Sequence, residues 1–177
     1  FDEGRATVVL GFRSAPDDGL ADCCREVAAY AARYGITCSV ENHGYHFQDC
    51  ERVRRLVKMV DLPNYRTTLD VGNFLCADED PIIATINNIG LAVQVHFKDF
   101  IRRYPGDFVP GGNWIRTRGG FLLRGTILGH GDMNITALAD IIKKSGYDGC
   151  ISLEFEGPEE CTMGTAIGIE TLIRLFK

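Results

Sequence analysis

The sequence predicts a parallel α/β fold built of repeated strand–helix units, on three observations. Apolar, β-branched runs alternate with amphipathic helical stretches; the alternation recurs at roughly thirty residues per unit, the length of one strand and its crossover helix; and 177 residues at 45% hydrophobic content suffice for one ordinary core. Neither a low-complexity segment nor a composition shift divides the chain, so residues 1–177 are expected to form a single domain.

ATVVLGF (6–12) reads as a buried strand, and GLADCCREVAAYAARYG (19–35) as a helix ended by Gly35, a residue suited to the left-handed position past a helix terminus. ITCSVEN (36–42) is the next strand. DCERVRRLVKMV (49–60) follows as a helix with Asp49 placed to cap it, then YRTTLDVGN (65–73) as a strand running into a loop. A helix around 80–90 precedes the strand LAVQVHFKDF (91–100). Residues 101–131 are glycine-rich, hold Pro105, Pro110 and the only tryptophan, Trp114, and read as a long loop, of a length usually functional or mobile. DMNITALADIIKKSGY is a helix capped by Asp132 or Asn134; GCISLEFEG (149–157) is a strand; EECTMGTAIGIETLIRLFK is a closing helix.

The net charge of -5 provides no broad positive field for a phosphate backbone, so nucleic acid is not an expected partner. No apolar run reaches membrane-spanning length, and FDEGRATVVLGF lacks the basic start and cleavage site of a signal peptide, so a cytoplasmic protein without a membrane partner is expected. The seven cysteines are odd in number and show no CxxC spacing, which predicts reduced, mostly buried thiols.

A ligand-type residue stands at the end of four of the predicted strands: Glu41 after TCSV, Asp70 after RTTL, His96 after AVQV and Glu154 after CISL. The intervals are 29, 26 and 58 residues, that is, one unit, one unit, and one unit plus the long loop. In a barrel of parallel strands the carboxyl ends open onto one face, so side chains spaced this way converge. Three carboxylates and one imidazole suit Mn, Mg, Co or Zn. A single acid after a strand is usually a helix cap or a solvated loop residue; the weight rests on the set.

The segments SVENHG, TTLDVGN, VQVHFKD and ISLEFEG together resemble the sugar phosphate isomerase/epimerase family, the xylose isomerase-like TIM barrels, over about residues 6–176. That family includes ketose 3-epimerases, the inosose dehydratase and isomerase group and, more distantly, endonuclease IV. The resemblance implies a parallel (β/α) barrel of TIM type, a small-molecule carbohydrate substrate, and one divalent ion held by Glu41, Asp70, His96 and Glu154. It also implies that Glu41 and Glu154 are catalytic, lying on opposite faces of a ketose. One would remove the proton alpha to the carbonyl and the other return it, with the metal stabilising the enediolate. Substrate-binding candidates are His43 beside Glu41, Asn73, Lys98 and Asp99 of the HFKD motif, and Arg102, which matches a position able to hold substrate oxygens. Asn42 follows Glu41 into the same mouth, whereas His46 reads as a loop residue. In GHGD, Gly129 and Gly131 serve backbone geometry and His130 lies on the rim.

Two departures from the family pattern matter. A histidine often stands three residues after the strand-end aspartate, where this chain has Asn73; with few histidines and an acidic charge, this argues against multi-zinc endonuclease chemistry. A full barrel takes roughly 250 residues and eight strands, whereas the five strands here correspond to the fourth through eighth and cannot close. The chain is then either the C-terminal part of a longer protein, as its start at Phe1 suggests, or it pairs its edges with another chain as a homo-oligomer. An inosose-type dehydratase is the alternative chemistry at the same site. A truncated barrel acting as a non-catalytic binding or oligomerisation module is the alternative of a different class.

Overall fold

A computed structural model of the chain describes residues 6–12 and 14–177; residues 1–5, part of the opening considered for a signal peptide, lie outside them. Strands β1 (Thr7–Leu10), β2 (Thr37–Glu41), β3 (Tyr65–Asp70), β4 (Ala92–Phe97) and β8 (Cys150–Leu153) form one parallel sheet in the order β1-β2-β3-β4-β8. These are the five predicted strands, trimmed at their ends. The sheet is the curled part-barrel of TIM type that the sequence predicted.

Helices α1 (Asp18–Ala32), α3 (Cys50–Val60), α5 (Pro81–Asn88), α6 (Ile135–Lys144) and α7 (Cys161–Phe176) fall where periodicity placed them. Their starts follow local chemistry. Asp17 accepts from Leu20 N, Asp49 from Glu51 N and Arg52 N, Asp80 from Ile82 N and Ile83 N ahead of Pro81, and Asn134 from Ala137 N. Gly35, at φ 68°, lets the chain leave α1 for β2. Two single-turn helices were not anticipated, α2 (Gly44–Phe47) and α4 (Asn73–Cys76), both too short for periodicity to register.

Strand alternation sorts the sheet into two faces. Cys38 and Val40 point outward onto Ala21, Cys24, Ala28, Val53, Leu56 and Val60; Leu69, Val95 and Phe97 point outward onto Leu138, Ile142 and Leu172. The inner face is polar, with Ser39 Oγ 2.7 Å from Thr68 Oγ1 and Gln94 Nε2 donating to Ser152 Oγ at 3.2 Å.

The segment read as a long loop contains an antiparallel sheet, and this corrects the expectation. Strands β5 (Asp99–Arg103), β6 (Ile115–Arg116) and β7 (Leu122–Thr126) pair in the order β5-β7-β6. The predicted strand 91–100 is consequently two strands, parted at Lys98. The cause is Asp99, whose carboxylate accepts from the amides of Phe100, Gly129, Gly131 and Met133 and turns the chain off the parallel sheet. The cysteines also differ from expectation: Cys24, Cys38 and Cys50 are buried, Cys76 is intermediate, and Cys23, Cys150 and Cys161 are exposed thiols. Among the described residues no helix is long and apolar enough to cross a membrane.

Candidate metal centre

The registers of the sheet place the four strand-end residues on one face. Glu41 pairs with Thr68, Asp70 with His96, and His96 with Ser152. Asp70 stands two residues beyond Thr68 and Glu154 two beyond Ser152, so the two-residue pleat aims all four side chains into the curl of the sheet. The result is convergence: one ligand atom from each of Glu41, Asp70, His96 and Glu154 lies within 4.8 Å of every other.

Each residue is held by its surroundings. Asp70 is fully buried, and its Oδ1 accepts from Gly72 N and Asn73 N, both at 2.8 Å. Asn42 clamps the same strand end, donating to Asp70 O at 2.8 Å and accepting from Asp70 N at 2.7 Å. Asn42 is therefore a buried backbone brace, which corrects its reading as a residue of the mouth. His96 Nδ1 faces Glu154 Oε1 at 2.8 Å and Glu41 Oε1 at 3.6 Å.

Lys98 reaches the group on the side of Asp70 and Glu154. Its Nζ lies 2.6 Å from Glu154 Oε2, 3.2 Å from Glu156 Oε1 and 3.3 Å from Asp70 Oδ2. The stem passes over Gly72, where a β-carbon would overlap Lys98 Cγ and crowd the Phe100 ring, so the glycine of LDVGN is required by close approach. Glu156 was not singled out from the sequence; its spacing of two from Glu154 was the available signal.

Burial pushes the Asp70 carboxyl up to about 7, against the pull of Lys98 and the Asn73 amide. For His96, burial disfavours the charged ring, but Glu154 and Glu41 outweigh it and the pKa rises to about 9. Burial likewise opposes the charge on Lys98, and Asp70, Glu154 and Glu156 overcome it, raising its pKa. The His96 ring and then Lys98 hold Glu154 far below the usual carboxylate range despite partial burial.

The donor set fits a divalent cation. Asp70 Oδ2 and His96 Nδ1 are buried without a hydrogen bond, each facing a charged neighbour instead: Lys98 Nζ at 3.3 Å and Glu154 Oε1 at 2.8 Å. Buried polar atoms aimed at one point, three of the four residues being carboxylates, match the preference of hard or borderline ions.

The remaining candidates separate by position. Asn73 Nδ2 lies 3.5 Å from Glu41 Oε1, at the edge of the cluster. His43 is exposed and shares a recess of about 170 Å³ with Glu41, Val9 and Phe12. Asp99 is buried against the four amides that turn the chain. Arg102 lies on β5, donating to Tyr104 Oη at 2.7 Å with its guanidinium 4.9 Å from that ring. Among the described residues, no hydrogen bond or ion pair joins Asp99 or Arg102 to the four ligand candidates. His130 is exposed, as expected of a rim residue, and Gly129 takes φ 92°.

Known proteins share this architecture. The structure superposes on a xylose isomerase domain protein from Planctomyces limnophilus with a TM-score of 0.73, at 20% identity over 97% of this chain and 58% of that one. A probable 3-DHS dehydratase, AsbF from Bacillus anthracis, gives 0.71 at 18% identity over 96% and 63%. The IolI protein, solved with a bound zinc atom, gives 0.68 at 17% identity over 97% and 62%. The chain thus spans about three fifths of the length of these structures. No curated protein matches the sequence. The model of one family covers residues 7–175, nearly the whole chain, and on that match the chain belongs to the xylose isomerase-like TIM barrel family.

Proposed function

We propose that the chain carries the metal centre of a divalent-metal-dependent isomerase or epimerase acting on a sugar, sugar phosphate or polyol. The observation that carries this reading is the convergence of Glu41, Asp70, His96 and Glu154, with Asp70 Oδ2 and His96 Nδ1 buried and free of hydrogen bonds beside charged neighbours. The zinc reported for IolI supports a metal at such a site. A divalent ion there supplies Lewis-acid stabilisation of the negative charge that develops on substrate oxygens when an alpha proton leaves.

The protein's own groups handle the proton. Glu41 and Glu154 approach the cluster from strands on opposite sides of the β3–β4 pair, with side chains 15% and 30% exposed. One takes the proton alpha to a ketose carbonyl and the other returns it from the far side. His96 and then Lys98 hold Glu154 ionised in the metal-free protein. Asn73, at the edge of Glu41, and His43, on the open side, are placed to contact substrate. Asp99 acts as a positioning residue through the turn it organises, and Arg102 contacts substrate only if its stack on Tyr104 is reoriented.

The test is proton exchange in deuterated water by the full-length protein loaded with Mn or Zn, using candidate ketoses and inososes. An isomerase or epimerase incorporates deuterium at the alpha carbon without loss of water, and Glu154→Gln abolishes the exchange. Loss of water with each turnover would assign the site to a dehydratase, the reading that the likeness to AsbF favours. Absence of both exchange and metal binding would leave a binding or oligomerisation module.

A further inference from the structure

We propose that the recess between Trp114 and Arg124 is an anion subsite that takes the carboxylate or phosphate end of the substrate handled at the metal centre, a proposal that rests on the function given above. The excursion that carries β5, β7 and β6 is charged unlike the rest of the molecule. Between residues 101 and 125 stand Arg102, Arg103, Arg116, Arg118 and Arg124 against the single acid Asp107, in a chain whose net charge is -5. Among the described residues none of the five pairs with a carboxylate; elsewhere Arg25, Arg54 and Arg174 do, whereas Arg33, Arg52, Arg55 and Arg66 do not. Four of them bond to a hydroxyl or carbonyl oxygen nearby.

Arg124 is the exception, with neither a hydrogen bond nor an ion pair among the described residues. Its Nε is buried without an acceptor, and so is the indole Nε1 of Trp114. The Arg124 guanidinium lies 5.2 Å from the Trp114 ring and that of Arg103, which donates to Arg102 O, lies 5.7 Å from it, so two cations gather at this ring without a carboxylate. Buried donors left in this state are rare in folded proteins and call for an acceptor. Trp114 and Arg124 line a recess of about 580 Å³ whose wall also includes Gly112, Asn113 and Glu156.

The recess adjoins the metal centre. Gly125 packs against the carbonyl of Glu156 so closely that a β-carbon would overlap it, which seats β7 on the chain beyond β8. Glu156 Oε1 in turn lies 3.2 Å from Lys98 Nζ, the cation among the ligand candidates. The one acid lining the recess is thus drawn toward Lys98, while the arginine has no anion. A planar guanidinium beside an indole N–H suits the fork of a carboxylate or phosphate; neutral hydroxyls would leave its charge uncompensated.

Trp114 is the only tryptophan, so its fluorescence reports on this recess directly. Metal-free protein is titrated with inorganic phosphate and, separately, with acetate, at ionic strength matched by sodium chloride. The expected result is a saturable change that Arg124→Gln weakens by about tenfold or more, while Arg116→Gln, on the same small sheet, changes it less than about twofold. Tighter binding of phosphate than of acetate assigns a phosphorylated substrate, and the reverse a carboxylated one. A response that sodium chloride reproduces, or equal losses in the two variants, overturns the subsite. Should Arg124→Gln fail to fold, Trp114→Phe decides by calorimetry with phosphate: unchanged affinity overturns the subsite, and weakened affinity supports it. Calorimetry of the parent with zinc runs in parallel. Metal binding without anion binding removes only the subsite, whereas loss of metal binding removes the function on which it rests.

Discussion

Replacing Lys98 by methionine removes the cation that compensates the buried carboxylates while keeping an apolar stem over Gly72. The Lys98 side chain is 3% exposed, and its Nζ lies 2.6 Å from Glu154 and 3.3 Å from Asp70. Breaking a buried pair from one side costs about 3–5 kcal/mol, because the remaining charge is left uncompensated. Glu154 and Glu156 are 30% and 48% exposed and regain water, so the loss falls on Asp70, at 0%, and the lower end applies, about 3 kcal/mol. At ~2–4 °C per kcal/mol for a chain of this size, Tm in EDTA should fall by about 6–12 °C. Zinc or manganese restores positive charge at the same point, so the gap between variant and parent should narrow on metal saturation. Thermal unfolding followed by circular dichroism, with and without metal, measures both effects. A variant that melts within about 2 °C of the parent in EDTA, or a gap unchanged by metal, would refute the compensation assigned to Lys98.

Metal affinity should depend on pH with a definite sign. In the metal-free protein His96, raised to about 9, and Asp70, raised to about 7, hold protons that an ion must displace. Affinity therefore rises with pH, about tenfold per unit between 7 and 9 and more steeply below 7 where both groups release protons; calorimetry across that range would expose a flat profile as contrary. Gly72→Ala drives a β-carbon into Lys98 Cγ and toward the Phe100 ring, so it should cost about 1–3 kcal/mol in chemical denaturation and weaken zinc binding. Unchanged stability would mean the approach is not as close as it stands. Asp99→Ala strands the amides of Phe100, Gly129, Gly131 and Met133, an expected loss of about 3 kcal/mol, with zinc affinity kept because Asp99 touches no ligand candidate. Loss of metal binding in a folded Asp99→Ala protein would count against that separation.

The parts of the molecule legible in the sequence are those governed by local periodicity. Apolar, β-branched runs marked β2, β3 and β4, and short polar caps such as Asp49 and Asn134 marked the helix starts. Because the strands are parallel, their ends could be lined up before any pairing was known, and the four ligand candidates emerged together. What escaped was decided by tertiary contact. The strand break at Lys98 depends on amides thirty or more residues away at Gly129, Gly131 and Met133, and no local signal announces such a turn. The β6 strand, Ile115–Arg116, is too short to show alternation, and the arginine-rich β5 resembles a solvated loop. Cys23, Cys150 and Cys161 lie exposed because the helix and strand faces that carry them point away from the core, which residue type alone does not reveal. Asn42 looked like a substrate contact by proximity to Glu41, yet its side chain is taken up by the Asp70 backbone of the neighbouring strand, a pairing no local signal reveals.

The central claim is the convergence of four side chains on one divalent ion, and a crystal structure of the protein grown with manganese or zinc, with anomalous diffraction to locate the ion, tests it most directly. One strong peak per chain is expected, with Glu41, Asp70, His96 and Glu154 each placing one atom at about 2.0–2.3 Å. Well-ordered crystals from saturating metal with no peak among these four residues, or a peak that leaves out both Asp70 and His96, would contradict it.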